Sequence, residues 1–186
     1  MPGGSTKRSG RQRPQDSGFV DSRPSKETNG RTQFIVDAML GSLARKLRAF
    51  GFDAVYYKAG DDSDLLRLAV VEGRIVLTAD RSLAARADAK GIRAILLVGD
   101  SDKERVNSLA QRAKGAGVSL VRGPPLCSLC GGELRAIERH EISGEVPPSV
   151  KRRHRLFFQC KSCAQIYWRG SHWKRLMSLA RRLDQK

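Results

Sequence analysis

The sequence predicts an α/β protein: a parallel sheet flanked by helices, followed by a small C-terminal module. Two observations carry this prediction. Between residues 33 and 121, short apolar runs alternate four times with segments of helical periodicity, and the turns between them are short. Alternating strands and helices specify parallel strands whose crossover helices cover both faces of the sheet. Beyond residue 121 the alternation stops, and all four cysteines of the chain follow there.

The first predicted strand, Phe34-Ile35-Val36, is a continuous apolar run, which is typical of a strand buried on both faces. The helix after it has apolar residues at helical spacing and ends at Gly51, since glycine commonly terminates helices. Asp61 opens the second helix and Gly73 closes it. The remaining elements are predicted as strands at 54–57, 74–78, 94–98 and 118–121 and helices at 83–90 and 102–114.

The first 32 residues are predicted to form a disordered basic tail. They are rich in Gly, Ser, Pro, Arg and Lys and have almost no large apolar side chains, so they bury too little surface to offset chain entropy. An α/β domain at 33–121 and a C-terminal module with a basic helix at 122–186 follow. We find neither a secretory signal nor an apolar run long enough for a membrane span, and therefore expect a cytoplasmic protein without a membrane partner.

The net charge of +16 is distributed unevenly along the chain. Residues 33–121 contain fourteen Lys or Arg against eleven Asp or Glu, whereas residues 122–186 contain fourteen against five. The tail contains seven against three. A basic surface beside a nearly balanced domain favours a polyanionic partner, most often nucleic acid. A basic surface that serves only solubility is the alternative.

The four cysteines form two Cys-x-x-Cys pairs, Cys127/Cys130 and Cys160/Cys163, with 29 residues between them. Each such turn places two thiolates on one side of an ion, and two turns complete a closed tetrahedral zinc site. A closed site has no open position for substrate, so the zinc is predicted to be structural. Glycines after the first pair allow backbone amides to point at the sulfurs. Two disulfides, which would need an oxidising compartment, and a redox dithiol are the alternatives.

Acidic residues gather at the carboxyl ends of the predicted strands. Asp37, Asp80 and Asp100 follow the first, third and fourth strands. The second helix opens with Asp61, Asp62 and Asp64. The ligand crevice of an open parallel sheet lies beyond these strand ends. Carboxylates brought together there repel one another unless cations intervene, and magnesium or manganese suits such oxygen ligands. In the alternative interpretation, each acid only caps a helix.

Several segments resemble the Mut7-C family. They are residues 36–48 (VDAMLGSLARKLR), Gly51-Phe52-Asp53, Asp64-Leu65-Leu66, residues 73–81 (GRIVLTADR) and residues 167–173 (YWRGSHW). With the two cysteine pairs they cover residues 33 to about 177. The resemblance implies a PIN-like ribonuclease fold joined to a C-terminal zinc ribbon, and a metal-dependent hydrolysis of RNA phosphodiester bonds.

Carried over by position, the resemblance implies that Asp37 is the first catalytic acid and that Asp80 is the acid of a Thr-x-Asp motif. Asp64 would fill the middle acidic position, with Asp62 as the alternative, and these carboxylates would hold magnesium or manganese. The middle acid of PIN nucleases is often Glu, so an Asp here shortens the reach to the metal.

Further candidates surround these three acids. Asp100 or Asp102 lies where a fourth acid could sit. Arg81, next to Asp80, contacts the scissile phosphate or is a surface residue. Arg45 and Arg48 line the same cleft or belong to a solvated helix face.

A basic run before the second cysteine pair is predicted to bind RNA together with Trp168 and Arg169; it contains Lys151, Arg152, Arg153, His154 and Arg155. Cations can bind phosphates while aromatic side chains stack on unpaired bases. Phe157 and Phe158 stack on bases or form the core of the ribbon, and Trp168 and Trp173 contact RNA or pack against the first domain. His172 is predicted not to ligate zinc, since four cysteines suffice.

Two other functions remain open at this point. A non-catalytic RNA- or ribosome-binding adaptor would use the basic surface alone, and a DNA-binding regulator would leave the strand-end acids unexplained. The presence of Asp37, Asp64 and Asp80 together favours the ribonuclease. The sequence makes no prediction of oligomeric state.

Overall fold

The structure is a computed structural model, and it describes residues 30–58, 60–142 and 146–184. Residues 1–29 of the predicted tail lie outside this described part. No helix within it is long and apolar enough to cross a membrane.

Four parallel strands form the first sheet, in the spatial order β2-β1-β3-β4. They are β1 (Gln33–Val36), β2 (Asp53–Tyr56), β3 (Ile75–Thr78) and β4 (Ala94–Leu96). The helices are α1 (Gly41–Phe50), α2 (Asp62–Val71), α3 (Arg81–Ala89) and α4 (Asp102–Gly115), with a 3-10 turn at Ala38–Leu40 before α1. The predicted α/β class, with a parallel sheet flanked by helices, is confirmed.

The two faces of the sheet bury separate cores. Phe34 and Val36 of β1 lie in a core shared with α1 and α4, whereas Ile35 lies in a second core with α2 and α3. All three side chains are fully buried. Successive side chains of a strand point to opposite faces, so the continuous apolar run is required by helices on both sides.

The predicted fifth strand at 118–121 is wrong. The backbone amide of Val121 donates to Thr32 Oγ1 at 2.8 Å, and the amide of Thr32 donates to the Val121 carbonyl at 2.9 Å. Because a side-chain hydroxyl takes the place of a backbone acceptor, no strand ladder forms. The predicted strand at 94–98 ends early for a similar reason, since the Val98 amide donates to Ser108 Oγ at 3.1 Å instead of continuing the pairing.

The second sheet is antiparallel, in the order β5-β6-β7. Its strands are β5 (Leu134–Glu138), β6 (Leu156–Cys160) and β7 (Ile166–Trp168), and α5 (Pro148–Arg153) precedes β6. Ile137, Val146, Phe157 and Ile166 form its small core. Phe157 is fully buried, as the core interpretation predicted, whereas Phe158 is only half-buried.

After the second sheet the chain returns to the first. Helix α6 (Ser171–Ala180) and a 3-10 turn at Arg181–Leu183 follow β7. Ala180 and Leu183 are buried in the core that Phe34 and Val36 share with α1 and α4. The C-terminal helix therefore contributes apolar side chains to the α/β part, although the cysteine module precedes it in the chain.

The turn after α1 also joins the two parts. Arg48 is buried; its Nε donates to the Ala54 carbonyl at 2.7 Å and its Nη1 to the Leu129 carbonyl at 2.6 Å. Gly51 has φ +99°, and a Cβ there would lie 2.0 Å from the carbonyl oxygen of Gly123. Position 51 therefore requires glycine for two reasons: the left-handed backbone conformation and the close approach of the Gly123 carbonyl.

Candidate functional site

Asp37 and Asp80 are connected through one threonine. Thr78 is fully buried, and its Oγ1 donates to Asp37 Oδ2 at 2.7 Å. The same oxygen accepts a hydrogen bond from the backbone amide of Asp80 at 2.9 Å. Thr78 therefore fixes the first predicted acid and the backbone of the second relative to each other.

The topology explains why these residues meet. β1 and β3 are parallel neighbours, so their carboxyl ends lie at the same edge of the sheet. The chain leaves β1 toward β2 on one side and returns to β3 on the other, which makes this edge the switch point of the sheet. Ligands of open α/β sheets bind in the crevice at such a point.

Asp80 has a structural role besides its position. It is the N-cap of α3, and its Oδ1 accepts a hydrogen bond from the Ser82 amide at 2.7 Å. Capping occupies one carboxylate oxygen and holds the side chain at the strand end. Arg81, the first residue of α3, is exposed, and the interpretation of its side chain as a phosphate contact stays a prediction.

The acids that open α2 are divided between several partners. Asp61 is the N-cap of α2 and accepts from the Asp64 amide at 2.8 Å. Asp64 is exposed and pairs with Arg67 at 3.4 Å, and Asp62 pairs with Arg86 of α3. Burial, together with the negative charges of Asp64 and Asp61, raises the pKa of Tyr57 just beyond β2.

The carboxylates do not meet as a single group of ligands. Within residues 30–58, 60–142 and 146–184, the four cysteines alone make a group of three or more His, Cys, Asp or Glu whose ligand atoms all lie within 4.8 Å of one another. Asp37, Asp64 and Asp80 form no such group there. Magnesium binds oxygens at about 2.0–2.1 Å, so two ligand atoms on one ion lie at most about 4.2 Å apart. In this arrangement the three carboxylates cannot all bind one ion directly, and at least one of them would contact it through a water molecule.

Of the two fourth-acid candidates, Asp102 is the one turned toward α1. Its Oδ2 accepts a hydrogen bond from Ser42 Oγ at 2.6 Å and pairs with Lys46 Nζ. Its Oδ1 is buried and has no hydrogen-bond partner among the described residues. Asp100 is exposed, and its backbone amide donates to Glu104.

The cysteine pairs come together as their spacing predicts. Cys127 Sγ lies 3.6 Å from Cys163 Sγ, and Cys130 Sγ lies 3.5 Å from Cys160 Sγ. A tetrahedral zinc ion with Zn–S bonds of about 2.3 Å would separate its sulfurs by roughly 3.8 Å. All four cysteines are free thiols in the structure. The cluster therefore fits one tetrahedral ion.

The local backbone of each turn supports this arrangement. The Gly132 amide donates to Cys130 Sγ and the Ser162 amide to Cys160 Sγ, each at 3.4 Å. Gly131 has φ +74° and Ala164, at the equivalent place in the second turn, has φ +58°. A left-handed alanine is uncommon, and the second turn therefore holds a strained residue that the first turn avoids with glycine.

Tyr167 contacts the cluster from β7. Its hydroxyl lies 3.1 Å from Cys127 Sγ and 3.2 Å from Ser128 Oγ. Burial acts to raise the pKa of Cys127, but the Cys130 amide, the Tyr167 hydroxyl and other hydrogen-bond donors outweigh it and lower that pKa to about 7. The lowered pKa favours the thiolate at Cys127, the form that a metal ion binds, whereas burial raises the pKa of Cys130 and of Cys163.

A groove of about 1170 Å³ lies between α1, the C-terminal module and the start of α6. Its lining includes no Asp or Glu, and its five Lys or Arg residues are Arg45, Lys46, Arg153, Arg169 and Lys174. Phe158, Tyr167, Trp168 and Trp173 also line it. Of the residues predicted to bind nucleic acid, Arg153, Trp168 and Arg169 line this groove, whereas Lys151, Arg152 and Arg155 are not among its lining residues.

Three residues have contacts in the structure that were not predicted from the sequence: Thr78, Lys46 and Tyr167. Thr78 was visible only as part of the Thr-x-Asp motif, and its position two residues before Asp80 was the available signal. Lys46 shares α1 with two arginines, and nothing in the sequence distinguishes it as the partner of Asp102. Tyr167 stands near the second cysteine pair, but its contact with Cys127 depends on the pairing of β6 with β7.

A family model described as Mut7-C RNAse domain matches residues 32–180. Comparison with curated proteins and with solved structures found no match. The matched range includes the Asp37–Thr78–Asp80 connection, both cysteine pairs and all of α6, and it suggests a ribonuclease-type function. Since the match covers well over half of the sequence, the chain belongs to the Mut7-C RNAse domain family.

Proposed function

We propose that the protein is a divalent-metal-dependent ribonuclease that hydrolyses RNA phosphodiester bonds at the carboxyl edge of its parallel sheet. The observation that carries this proposal is the Asp37–Thr78–Asp80 connection at the switch point between β1 and β3. The family match supports the reaction class, and the basic C-terminal module supports a polyanionic substrate.

The donor set fits a hard cation such as magnesium or manganese. Asp37 and Asp80 would bind it, because carboxylate oxygens are the ligands these ions prefer. Bound there, the ion would lower the pKa of a water molecule and stabilise charge on the phosphate. Thr78 holds the Asp37 carboxylate in one orientation, which reduces the reorganisation needed on binding.

The middle acid is assigned to Asp64, with Asp62 as the alternative. Within the described part of the chain, the Asp64 carboxylate pairs with the exposed Arg67, a contact that contributes little and is easily exchanged. Asp62 is held by Arg86 of the neighbouring helix. Asp64 therefore has the greater freedom to turn toward a metal, while Arg81 and Asp100 stay candidates whose exposed side chains permit substrate contact.

The cysteine cluster is proposed to hold one structural zinc ion. The sulfur spacing and the amide hydrogen bonds to Cys130 and Cys160 support this assignment. With four thiolates the site would be closed, so the zinc would stabilise the C-terminal module and take no part in hydrolysis.

RNA degradation tests the proposed reaction. Wild-type protein should cleave RNA with added magnesium or manganese, and Asp37→Asn and Asp80→Asn should each abolish cleavage. Asparagine is a good helix cap, so Asp80→Asn preserves the start of α3 and isolates the loss of charge. Asp88→Asn, which removes an exposed acid from the end of the same helix, is the matched control and should cleave normally.

One observation favours the second candidate, a non-catalytic RNA-binding adaptor: the three predicted acids are not gathered within 4.8 Å. Equal RNA degradation by wild type and both Asn variants would identify a contaminating nuclease. If RNA binding is retained as well, the result would favour the non-catalytic adaptor function over the ribonuclease function.

A further inference from the structure

We propose that the groove between α1 and the C-terminal module is the path of an unpaired RNA strand. The choice of RNA rests on the proposed function. The position of the path and the preference for unpaired bases rest on the lining of the groove itself.

The charge of the lining favours a phosphate backbone. Arg45, Arg153 and Lys174 are exposed and have no acidic partner among the described residues, and no Asp or Glu lines the groove. Lys46 is the exception, since it pairs with Asp102. A groove with one sign of charge concentrates its potential and attracts a polyanion.

The aromatic side chains favour bases that are free to stack. Trp173 is half-buried, lines the groove and belongs to none of the three hydrophobic clusters of the described residues. The guanidinium of Arg169 lies over the ring of Phe158, 5.2 Å from its centre. Alternating cations and aromatic faces are the usual platform for single-stranded nucleic acid.

The size and shape of the groove narrow the class of ligand. Its volume of about 1170 Å³ exceeds the roughly 300–1,000 Å³ of ordinary small-molecule pockets. Double-stranded RNA is recognised by shape across its shallow minor groove, and its bases are not available to Trp173. An unpaired strand satisfies the cations and the aromatic rings together.

The groove also leads toward the proposed catalytic edge. Ser42 and Lys46 of α1 line it, and both bond to Asp102 at the start of α4. Asp37 precedes α1 by only the 3-10 turn Ala38–Leu40. A strand lying along α1 would therefore run toward the end of the sheet at which Asp37 lies.

Binding of a short labelled oligouridine to the full chain tests the proposal without requiring cleavage. The Asp37→Asn background, with no added magnesium, separates binding from hydrolysis. Both tryptophans of the chain, Trp168 and Trp173, line the groove. Oligouridine should therefore quench the intrinsic fluorescence, and Trp173→Ala should weaken binding between about 5-fold and 100-fold, whereas Trp173→Phe should retain most of it.

Charge variants locate the strand. Arg45→Gln with Lys174→Gln should weaken binding and flatten the log–log salt dependence by about 1.4 units, at about 0.7 for each phosphate contact to a single strand. Arg112→Gln with Lys114→Gln removes the same charge from the exposed end of α4 and should leave affinity unchanged. Thermal unfolding of each variant serves as the control that it is folded.

Three results would overturn the proposal. The first is that Arg45→Gln with Lys174→Gln changes neither the affinity for oligouridine nor its salt dependence. The second is that affinity falls only in Arg152→Gln with Arg155→Gln, and the third is that duplex RNA binds as tightly as oligouridine and quenches the fluorescence equally. If oligouridine binds in the groove but the protein cleaves no RNA, the proposed path of the strand is supported and the proposed ribonuclease activity is rejected. If a groove variant binds oligouridine normally and still cleaves RNA, the ribonuclease activity is supported and the proposed path of the strand is rejected.

Discussion

Thr78 is the residue on which the geometry of the proposed active site depends. It is fully buried at the end of β3, and its one hydroxyl serves both the Asp37 carboxylate and the Asp80 amide. Its Oγ1 must donate to the first and accept from the second, so both of its hydrogen-bonding functions are used. The methyl group of threonine meanwhile suits a buried strand position.

Thr78→Val keeps the shape of the side chain and removes both hydrogen bonds. We expect the free energy of unfolding to fall by about 1–3 kcal/mol, because the Asp80 amide is left without its acceptor. Divalent-dependent RNA cleavage should fall roughly 10- to 100-fold. Thr78→Ser should restore cleavage, whereas a purely packing role of the side chain would leave the serine variant as impaired as valine.

We expect Asp102 to make the stability of the protein depend on pH. Burial acts to raise its pKa, but hydrogen bonds from Lys46 and Ser42 and the charges of Lys46 and Arg105 outweigh it and hold the pKa below its usual 3.8. A lowered pKa in the folded state stabilises the protein above the unfolded-state pKa, and this stabilisation is lost as the pH falls through the folded-state value.

Asp102→Asn should therefore lower the free energy of unfolding at neutral pH by about 1 kcal/mol. The difference from wild type should shrink below about pH 4 and vanish once Asp102 is protonated in both states of the wild type. Chemical denaturation at several pH values measures it. A difference that stays constant from pH 7 to pH 3 would mean that the Asp102 charge contributes nothing.

The sequence predicted the position of Asp37 and Asp80 at one edge of the sheet, because acids directly after parallel buried strands all lie at the carboxyl ends of those strands. It predicted less of Asp62 and Asp64, since their choice of Arg86 or Arg67 depends on the packing of α2 beside α3. The contacts of Asp102 likewise depend on where α1 places Ser42 and Lys46.

At the scale of elements, the strand and helix pattern was predictable wherever apolar periodicity was strong. The three buried residues of β1 alternate between two cores, and the sequence shows this directly as an uninterrupted apolar run. The failure at 118–121 came from a segment whose hydrogen bonds go to the Thr32 side chain, which no local pattern reveals. Helix α6 was predicted as basic, while its packing of Ala180 onto the α/β core depends on tertiary structure.

The metal content of the purified protein tests the zinc site proposed at the two cysteine turns. Purified protein should contain about one tightly held zinc per chain, and Cys130→Ser should lose it. Amide hydrogen exchange should then accelerate in β5, β6 and β7, while β1 and β3 stay protected by their own cores. Ser162→Ala, an exposed change in the second turn, should keep the zinc. Wild-type protein without zinc, or with two mapped disulfides, would contradict the assignment.

At the scale of the whole molecule, the two parts differ in charge. The α/β part is nearly balanced in charge and carries the strand-end acids, whereas residues 122–186 carry fourteen Lys or Arg against five Asp or Glu. Arg48, the Gly51–Gly123 contact and α6 hold the parts together, so the groove between them is bounded by both. The difference in charge is visible in the sequence, but the groove itself arises only where α1, β7 and α6 meet.

The proposed reaction requires that Asp37 and Asp80 form a divalent-metal site at the edge of the sheet. Manganese binding followed by electron paramagnetic resonance tests it most directly, because thiolate sites compete poorly for this hard ion and zinc is silent in the spectrum. We expect wild type and Asp88→Asn to bind manganese equally, and Asp37→Asn to lose most of the bound signal. Equal binding by wild type and Asp37→Asn would show that Asp37 is not a ligand and would contradict the proposed site.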